Sequence, residues 1–178
     1  MKNKFEIRGE VTAIFLNRRD GNTLETIIDT SMLEQIADFP YTWCASWNSC
    51  TNSFYCYGKL RTETGERKSI LLHRWVTNCP QDMEVDHINN DTLDNTQQNL
   101  RTVTSAENHQ NRLGAQYNSR TGIRGVSWNK RKRKWQAALK VENRRMHLGY
   151  FIKLSDAESE VKNARKDYMP FSKEALIA

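Results

Sequence analysis

Residues 85–111, VDHINNDTLDNTQQNLRTVTSAENHQN, constrain the fold more than any other part of this chain. The segments MEVDHI (83–88) and NLRTVT (99–104) have the composition of short strands, and the polar NNDTLDNTQQ between them contains neither Gly nor Pro. Thr104 then stands three residues before Glu107, which is the spacing of a helix capping box. The order strand, long loop, strand, helix predicts a compact hairpin with a helix packed across it.

The asparagines of this stretch indicate either a long solvated loop or a loop that is held in shape by its amides and binds a hard cation. Asn is unfavourable inside helices and strands, because its amide competes for nearby backbone groups. Asp86 and Asn108 offer oxygen ligands for Mg²⁺ or Mn²⁺, whereas His87 would remain available as a base near neutral pH. Asp86 and His87 are successive strand residues that point to opposite faces, so a twist or bulge must bring both to one cleft. Asn99 opens the second strand, where its amide can bond N–H and C=O groups of the loop.

The segments LLHR, VDHINND, LDNTQQNLRTVT and SAENHQN together resemble the His-Asn-His (HNH) endonucleases, in particular their phage and intron-homing branch. The resemblance implies that His87 is the general base, that Asp86 and Asn108 are the metal ligands, and that Asn99 is the central structural Asn. Many members have His at the last ligand position, so His109 beside Asn108 is an alternative ligand.

Four further positions match the family pattern or lie within it. Asn95 corresponds to the loop Asn, and His73 and Arg74 correspond to the upstream His-Arg pair. His73 lies in an apolar run and is equally well interpreted as a hydrogen-bonded core histidine. Arg101 either touches phosphate or is an exposed strand residue. The alternative for the Asp-His pair itself is a solvated pair in a polar loop.

The N-terminal part of the chain predicts a small α+β body. Residues 5–30 read as a β-hairpin turning at Asp20-Gly21, and residues 30–40 as a short helix capped at its start and ended by Pro40. TWCASW and SFYCYGKL alternate as strands do, and SILLHRWV is an apolar run without a clear period. We therefore predict an α+β protein with three parts: a body and nuclease domain (1–114, with its core at 83–112), a linker (115–121) and a C-terminal module (122–178).

Charge separates the C-terminal part from the rest. The net charge of +6 divides into −3 for residues 1–115 and +9 for residues 116–178. A basic module on a mildly acidic body is typical of a protein that holds a polyanion by one end, although a solubilising basic surface has the same composition.

The C-terminal module reads as three strands followed by a helix. KWQAALK alternates clearly, with Trp135, Ala137 and Leu139 on one face. The helix is predicted to start at Ser155, where Glu158 completes a capping box. Its apolar stripe consists of Ala157, Val161, Ala164 and Tyr168. The helix should cover one face of the sheet and leave the other face open and basic.

IRGVSW, KWQAALKV, HLGYF and the alanine-bearing helix resemble the plant ethylene-response-factor (ERF, APETALA-two) DNA-binding domain. That family lays its sheet in the major groove of DNA, which implies DNA contacts for Arg124, Lys140 and Arg145. Ser127 and His147 stand where the plant domains often have Arg and Trp, and His147 joins the predicted contacts. The run KRKRK is either a solvated turn or a set of phosphate contacts, and we favour the contacts. These are Lys130, Arg131, Lys132, Arg133 and Lys134.

Other features limit the alternatives. The four cysteines form no Cys-x-x-Cys pair, so we expect reduced thiols and no structural zinc. Neither a secretory signal nor a membrane-spanning stretch is evident, which favours an intracellular protein of the bacterial cytoplasm, encoded by a phage or mobile element.

Taken together, the sequence predicts a site-selective, metal-dependent endonuclease of double-stranded DNA that acts as a monomer without a small-molecule cofactor, cutting one strand or both. One alternative is a sequence-specific DNA-binding regulator whose HNH centre is inactive, which the intact Asp86, His87, Asn99 and Asn108 set argues against. A non-specific nuclease is a third reading, disfavoured by the appended DNA-binding module.

Overall fold

The computed structural model describes residues 1–112, 114–116, 118–142 and 144–176. The chain forms two compact units, Met1–Thr104 and Ser105–Ala178. Small antiparallel sheets and short helices make up both units, which confirms the predicted α+β class. Tyr117, within the predicted linker, lies outside the described residues.

The first sheet of unit 1 is an antiparallel meander of β1 (Phe5–Arg8), β2 (Val11–Asn17) and β3 (Thr23–Asp29). The predicted hairpin is confirmed as the β2–β3 pair, in which Val11 lies opposite Asp29. The prediction lacked β1. This short strand is exposed at all four residues, so the alternation of polar and apolar side chains that reveals a half-buried strand is missing there.

The second sheet consists of β4 (Cys44–Asn48), β5 (Ser53–Arg61) and β6 (Arg67–Leu71), in the order β4-β5-β6. Its inner face packs on the core of unit 1. Gly58 is required there, because a Cβ atom at this position would stand 2.2 Å from the ring of Phe39. The outer face carries the side chains of alternate residues, as strand geometry demands.

Short helices connect the sheets. A 3₁₀ turn (Thr30–Met32) runs into α1 (Leu33–Ala37), which confirms the predicted helix but not its cap, since neither start has a side-chain cap. The Thr30 hydroxyl donates instead to the carbonyl oxygen of Gly9. The apolar run 69–76 divides between the end of β6 and α2 (Leu72–Thr77), which explains why it shows no single period.

The core of unit 1 lies between the two sheets and these helices. Trp43 and Phe39 stack with ring centroids 4.1 Å apart, and both side chains are fully buried. Around this pair lie the other fully buried large apolar side chains, Ile14, Leu16, Ile28, Ile36 and Leu72.

The predicted strand, loop and strand are confirmed as β7 (Glu84–His87), residues 88–99 and β8 (Leu100–Val103). The two strands pair antiparallel, with Asp86 opposite Arg101. Helix α2 packs against both of them as well as against β5 and β6. The end of β7 is therefore held in the middle of unit 1.

Unit 2 contains a three-stranded antiparallel sheet and a long helix, as predicted for the C-terminal module. The strand order is β11-β10-β9. Its elements are α3 (Ser105–Asn108), β9 (Val126–Asn129), β10 (Lys134–Val141), β11 (Arg144–Phe151), α4 (Leu154–Tyr168) and α5 (Lys173–Leu176).

Helix α4 covers one face of this sheet with the predicted alanine-rich stripe. Ala157, Val161 and Ala164 are buried, but Tyr168 is half exposed, so the prediction was wrong for the last member. The helix also begins one residue before Ser155 and has no side-chain cap, because its N-cap residue is Lys153; the Ser155 hydroxyl donates to Asp156. Packing on the sheet, rather than a capping box, fixes this helix.

Helix α3 belongs to unit 2, whereas the predicted nuclease domain extends to residue 114. No helix within the described residues is long and apolar enough to cross a membrane. All four cysteines are free thiols, ranging from buried Cys56 to exposed Cys50.

Candidate active site

Two histidines and a tyrosine meet where β7 ends against α2. His87 is the last residue of β7, His73 lies in α2, and their ring centroids are 5.1 Å apart. The ring of Tyr55, from β5, lies 5.8 Å from His73 and 6.2 Å from His87. Both imidazoles are buried, at 6% and 5% exposure. His73 is thus a buried histidine, as one interpretation expected, and it also lies beside His87.

The ring orientation of His87 is fixed by Asn95. The Nε2 atom of His87 lies 3.3 Å from Oδ1 of Asn95. Because Oδ1 can only accept, Nε2 carries the hydrogen, and in the neutral ring the lone pair is then on Nδ1. The amide orientation is set in turn by Thr26, whose hydroxyl accepts from Nδ2 of Asn95 at 2.7 Å and donates to the carbonyl of Leu93.

The loop that carries Asn95 is fastened to β3 of the first sheet. The N–H of Ile27 donates to the carbonyl of Leu93, and the N–H of Asn95 donates to the carbonyl of Ile27. The N–H of Gln97 donates to the Asp29 carboxylate at 2.6 Å. The N-terminal sheet therefore holds the loop, and Thr26 is a site residue that sequence reasoning missed.

Asn99 clamps the same loop from the other side. Its Oδ1 accepts from the N–H of Asn89 at 2.9 Å, and its Nδ2 donates to the carbonyl of Asp94 at 2.7 Å. These are the two kinds of bond predicted for it. Asn89 makes further bonds within the loop, and Asn90 takes the left-handed conformation (φ 64°). Several asparagines of the stretch are thus structural.

Asp86 forms an ion pair with the strand residue opposite it. Nε and Nη2 of Arg101 lie 2.9 and 2.6 Å from Oδ2 of Asp86. Both side chains are largely buried, at 8% and 16% exposure. Arg101 is therefore not an exposed strand residue, and its guanidinium neutralises the carboxylate that the sequence assigns to a metal.

Burial sets the protonation of both histidines. Desolvation lowers the pKa of His87, although the bond to Asn95 and the charges of Asp86, Asp91 and Asp94 oppose the shift. Desolvation also lowers the pKa of His73, to about 3, aided by the positive charges of a protonated His87 and of Arg74. Both rings are therefore neutral at pH 7.

This burial predicts a specific acid lability. The unfolded chain takes up a proton at His73 below pH about 6.5, whereas the folded chain resists until about pH 3. The free energy of unfolding should thus fall as pH drops through that window, by about 3 kcal/mol at pH 4 from this group. His73→Gln should flatten the fall by that amount in urea unfolding at pH 7, 5 and 4. Parallel curves for the two proteins would contradict the assignment.

Arg74 has a structural position beside the site. Its guanidinium donates to the carbonyl oxygens of Met83, Cys79 and Pro80. These bonds hold the chain between α2 and β7. The side chain is therefore used to place the strand that ends at His87.

The comparisons with known proteins bear on this part of the chain. Residues 71–110 match the family model of HNH endonucleases. The match begins one residue before α2 and covers His73, Asp86, His87 and Asn99. It supports a nuclease acting on DNA. No curated protein and no solved structure matches the chain.

The last two candidates within this HNH segment (residues 71–110) lie in unit 2. Asn108 is the final residue of α3, and His109 follows it. The backbone N–H of His109 donates to the carbonyl oxygen of Ser105 at 3.1 Å, and the Nδ1 atom of its ring lies 2.6 Å from the same oxygen. The pairing of Asn108 with Asp86 at a metal stays a prediction. Across the described ranges, no group of three His, Cys, Asp or Glu side chains is arranged to hold a metal.

The open face of the unit 2 sheet carries three of the predicted DNA contacts, Lys140, Arg145 and His147. Lys140 lies opposite Arg145, and His147 opposite Ala138. His147 is linked to two neighbours, with its Nδ1 atom 3.4 Å from Nε2 of Gln136 and its ring 4.6 Å from that of Tyr150. Gln136 and Tyr150 were missed, because their polarity alone does not distinguish them from surface residues.

The basic run 130–134 comprises the exposed turn between β9 and β10 (130–133) and the exposed first residue of β10, Lys134. Oδ1 of Asn129 accepts from the N–H of Lys132, and Arg133 takes a left-handed conformation (φ 50°). None of the ion pairs among the described residues involves this turn. Its charges are therefore available to solvent and to phosphate.

Arg124 has a different environment from the other predicted DNA contacts. Its guanidinium donates to the carbonyl oxygens of His109, Gln110 and Arg112 at 2.9–3.0 Å. Partial burial lowers its pKa. Arg124 thus ties the chain after α3 to the sheet, which accounts for the early start of unit 2, and its contact with DNA stays a prediction.

Proposed function

We propose that this protein is a divalent-metal-dependent endonuclease that hydrolyses phosphodiester bonds of double-stranded DNA at preferred sites. The observation that carries the proposal is the buried, oriented His87 within the segment that matches the HNH endonucleases. The phage and intron-type spacing of LLHR and VDHI supports a homing-type enzyme carried by a mobile element.

His87 acts as the general base. Its Nε2–H is directed to Asn95, so the Nδ1 lone pair takes the proton from the attacking water. The lowered pKa keeps the ring neutral at pH 7, which is the form that accepts a proton. Asn99 acts indirectly, because its two bonds to the loop keep Asn95 and hence the imidazole in position.

The donor types that the sequence assigns to the metal suit a hard divalent cation. Asp86 would supply carboxylate oxygen and Asn108 amide oxygen, which are the ligand types that Mg²⁺ and Mn²⁺ prefer. Such an ion would neutralise the charge that grows on the scissile phosphate and the leaving 3′ oxygen. Arg101 already balances the charge of Asp86, so affinity for the ion should be low until DNA oxygens complete its shell.

Unit 2 supplies site selection in this proposal. The sheet face with Lys140, Arg145 and His147 would lie in the major groove, and the basic run 130–134 would contact phosphates. The ERF-like pattern of strands and helix supports this arrangement.

A DNA-binding regulator with an inactive HNH centre is the second candidate. The observation that favours it is the Asp86–Arg101 ion pair, since a cation at Asp86 must compete with a guanidinium at 2.6 Å. The intact set of His87, Asn95 and Asn99 favours the nuclease.

Incubation of the pure protein with supercoiled plasmid separates the two. With Mg²⁺ or Mn²⁺ we expect nicked circles if one strand is cut and linear DNA if both are cut. A chelator should stop the reaction while a gel-shift assay still detects the complex. Binding without cutting in either metal would establish the regulator instead.

A further inference from the structure

We infer that the outer face of the β4-β5-β6 sheet is a second DNA-binding surface, which feeds the substrate backbone towards His87. This inference rests on the proposed nuclease function. We call this face the platform and define it by Ser46, Tyr55, Tyr57, Lys59, Arg61, Arg67 and Ser69. Unit 1 would then bind DNA itself, in addition to unit 2.

The strand register places these side chains on one face. Ser46 lies opposite Tyr55, Lys59 opposite Ser69, and Arg61 opposite Arg67. Opposed residues of antiparallel strands share a face, and so do residues two apart along one strand. The burial of β5 agrees, because the intervening Cys56 and Gly58 are buried on the inner face. The platform residues themselves are half-buried or exposed.

The charge of this face differs from that of the unit around it. Three of the four basic residues in these strands lie on the platform face, since Lys68 pairs with Leu60 on the other face, and the strands contain no acidic residue. Residues 1–104 as a whole carry 11 basic and 14 acidic residues, so their net charge is −3. None of the ion pairs among the described residues involves Lys59, Arg61 or Arg67. Glu63 and Glu66 lie in the turn beyond β5 and mark the acidic edge of the platform. A basic face on an acidic unit is complementary to a polyanion.

The platform runs directly into the candidate active site. Tyr55, in the β5 row of platform residues, is the same residue whose ring touches His73 and His87. A cavity of about 520 Å³ lies against Tyr55 and Tyr57, with Ser46 and Ser69 in its wall. The Thr92 hydroxyl donates to the carbonyl of Phe54, which ties the loop of residues 88–99, here called the catalytic loop, to β5. Whatever binds the platform is therefore held at a fixed position relative to His87.

The dimensions and chemistry of the platform favour the DNA backbone. From Tyr55 to Arg61 the strand covers about 20 Å, at about 3.3 Å per residue. Successive phosphates of one DNA strand advance by about 3.4 Å along the helix axis, so the row is long enough to lie along several phosphates of one strand. Basic and hydroxyl side chains are the groups that contact phosphate oxygens. The substrate duplex is therefore the single occupant that we assign to this face.

The test uses the full-length protein with Lys59, Arg61 and Arg67 all changed to Gln. Binding to a short duplex is measured by fluorescence anisotropy in chelator, over a series of salt concentrations, so that cleavage is not needed. Loss of three phosphate contacts should lower the slope of log K against log salt by about two to three units and weaken binding at least about tenfold near 100 mM salt. In plasmid cleavage, KM should rise by a similar factor while kcat changes little.

A matched control removes the same charge elsewhere in unit 1. Lys2, Lys4 and Arg19 are exposed residues outside the second sheet, and changing them to Gln should leave the salt slope near that of the wild type. Thermal melting checks that both variants fold. Ser69→Lys, which adds a charge to the middle of the platform, should raise the slope and lower KM.

The outcomes separate this inference from the proposed nuclease. Equal salt slopes for the platform variant and the control, with Ser69→Lys also unchanged, would overturn the platform. A wild-type protein that never cuts, but whose binding falls selectively in the platform variant, would retain the platform and reject the nuclease. Selective loss of binding together with raised KM supports both.

Discussion

Replacing His87 with Ala should slow cleavage by about 10²–10⁴-fold, because the water must then lose its proton without a positioned base. The affinity for DNA should stay nearly the same, since the ring is buried and acts in the transition state. Single-turnover cleavage at saturating protein reports the first effect, and anisotropy in chelator reports the second.

His73→Gln provides the comparison within the same pair of rings. It should retain a rate within about tenfold of the wild type, because His73 would position His87 without accepting the proton. A fully active His87→Ala protein would refute the assignment of the base. If His73→Gln were the inactive variant and His87→Ala the active one, the roles of the two rings would be exchanged.

Neutralising the basic turn of unit 2 should have the next largest effect. We expect the combined change of Lys130, Arg131, Lys132 and Lys134 to Gln to lower the salt slope of DNA binding by about two to four units. Arg133 is left unchanged, because it has a left-handed conformation (φ 50°) and a substitution there would also test the conformation of the turn. The loss should be similar for preferred and random duplexes, since phosphate contacts carry no sequence information.

The matched control lies on the helical side of the same unit. Lys153, Lys162, Lys166 and Lys173 are exposed, and their joint change to Gln removes the same charge. If only total charge matters, both variants will lose the same affinity and the turn will have no special role. A larger loss from the turn variant locates the DNA on that side.

Local sequence patterns were enough to predict much of the fold. The β2–β3 hairpin has Asp-Gly at its turn, β10 alternates over its whole length, and the α4 stripe repeats at helical spacing. Each of these signals lies within one segment, where periodicity and turn chemistry act directly. The exposed β1 and the division of the run 69–76 into strand and helix carry no such signal.

The site was predicted less completely, because its geometry depends on contacts between distant segments. Asn95 and His87 are eight residues apart and belong to one motif, but Thr26 lies 69 residues before Asn95. Tyr55 reaches both histidines from another sheet. The Asp86–Arg101 pair depends on the register between β7 and β8. The irregular 12-residue loop that joins these strands does not allow this register to be predicted from the sequence.

The fastening of the catalytic loop to β3 has a consequence for attempts to transplant this nuclease. A designer who excised only the HNH segment would remove the backbone partners of Leu93 and Asn95 and the hydroxyl that orients the Asn95 amide. The excised piece would contain every residue of the recognised motif and still lack what holds its base in place. A transferable nuclease fragment must therefore include the N-terminal meander (β1–β3) together with the motif. Its minimum size is set by hydrogen bonding rather than by the extent of sequence similarity.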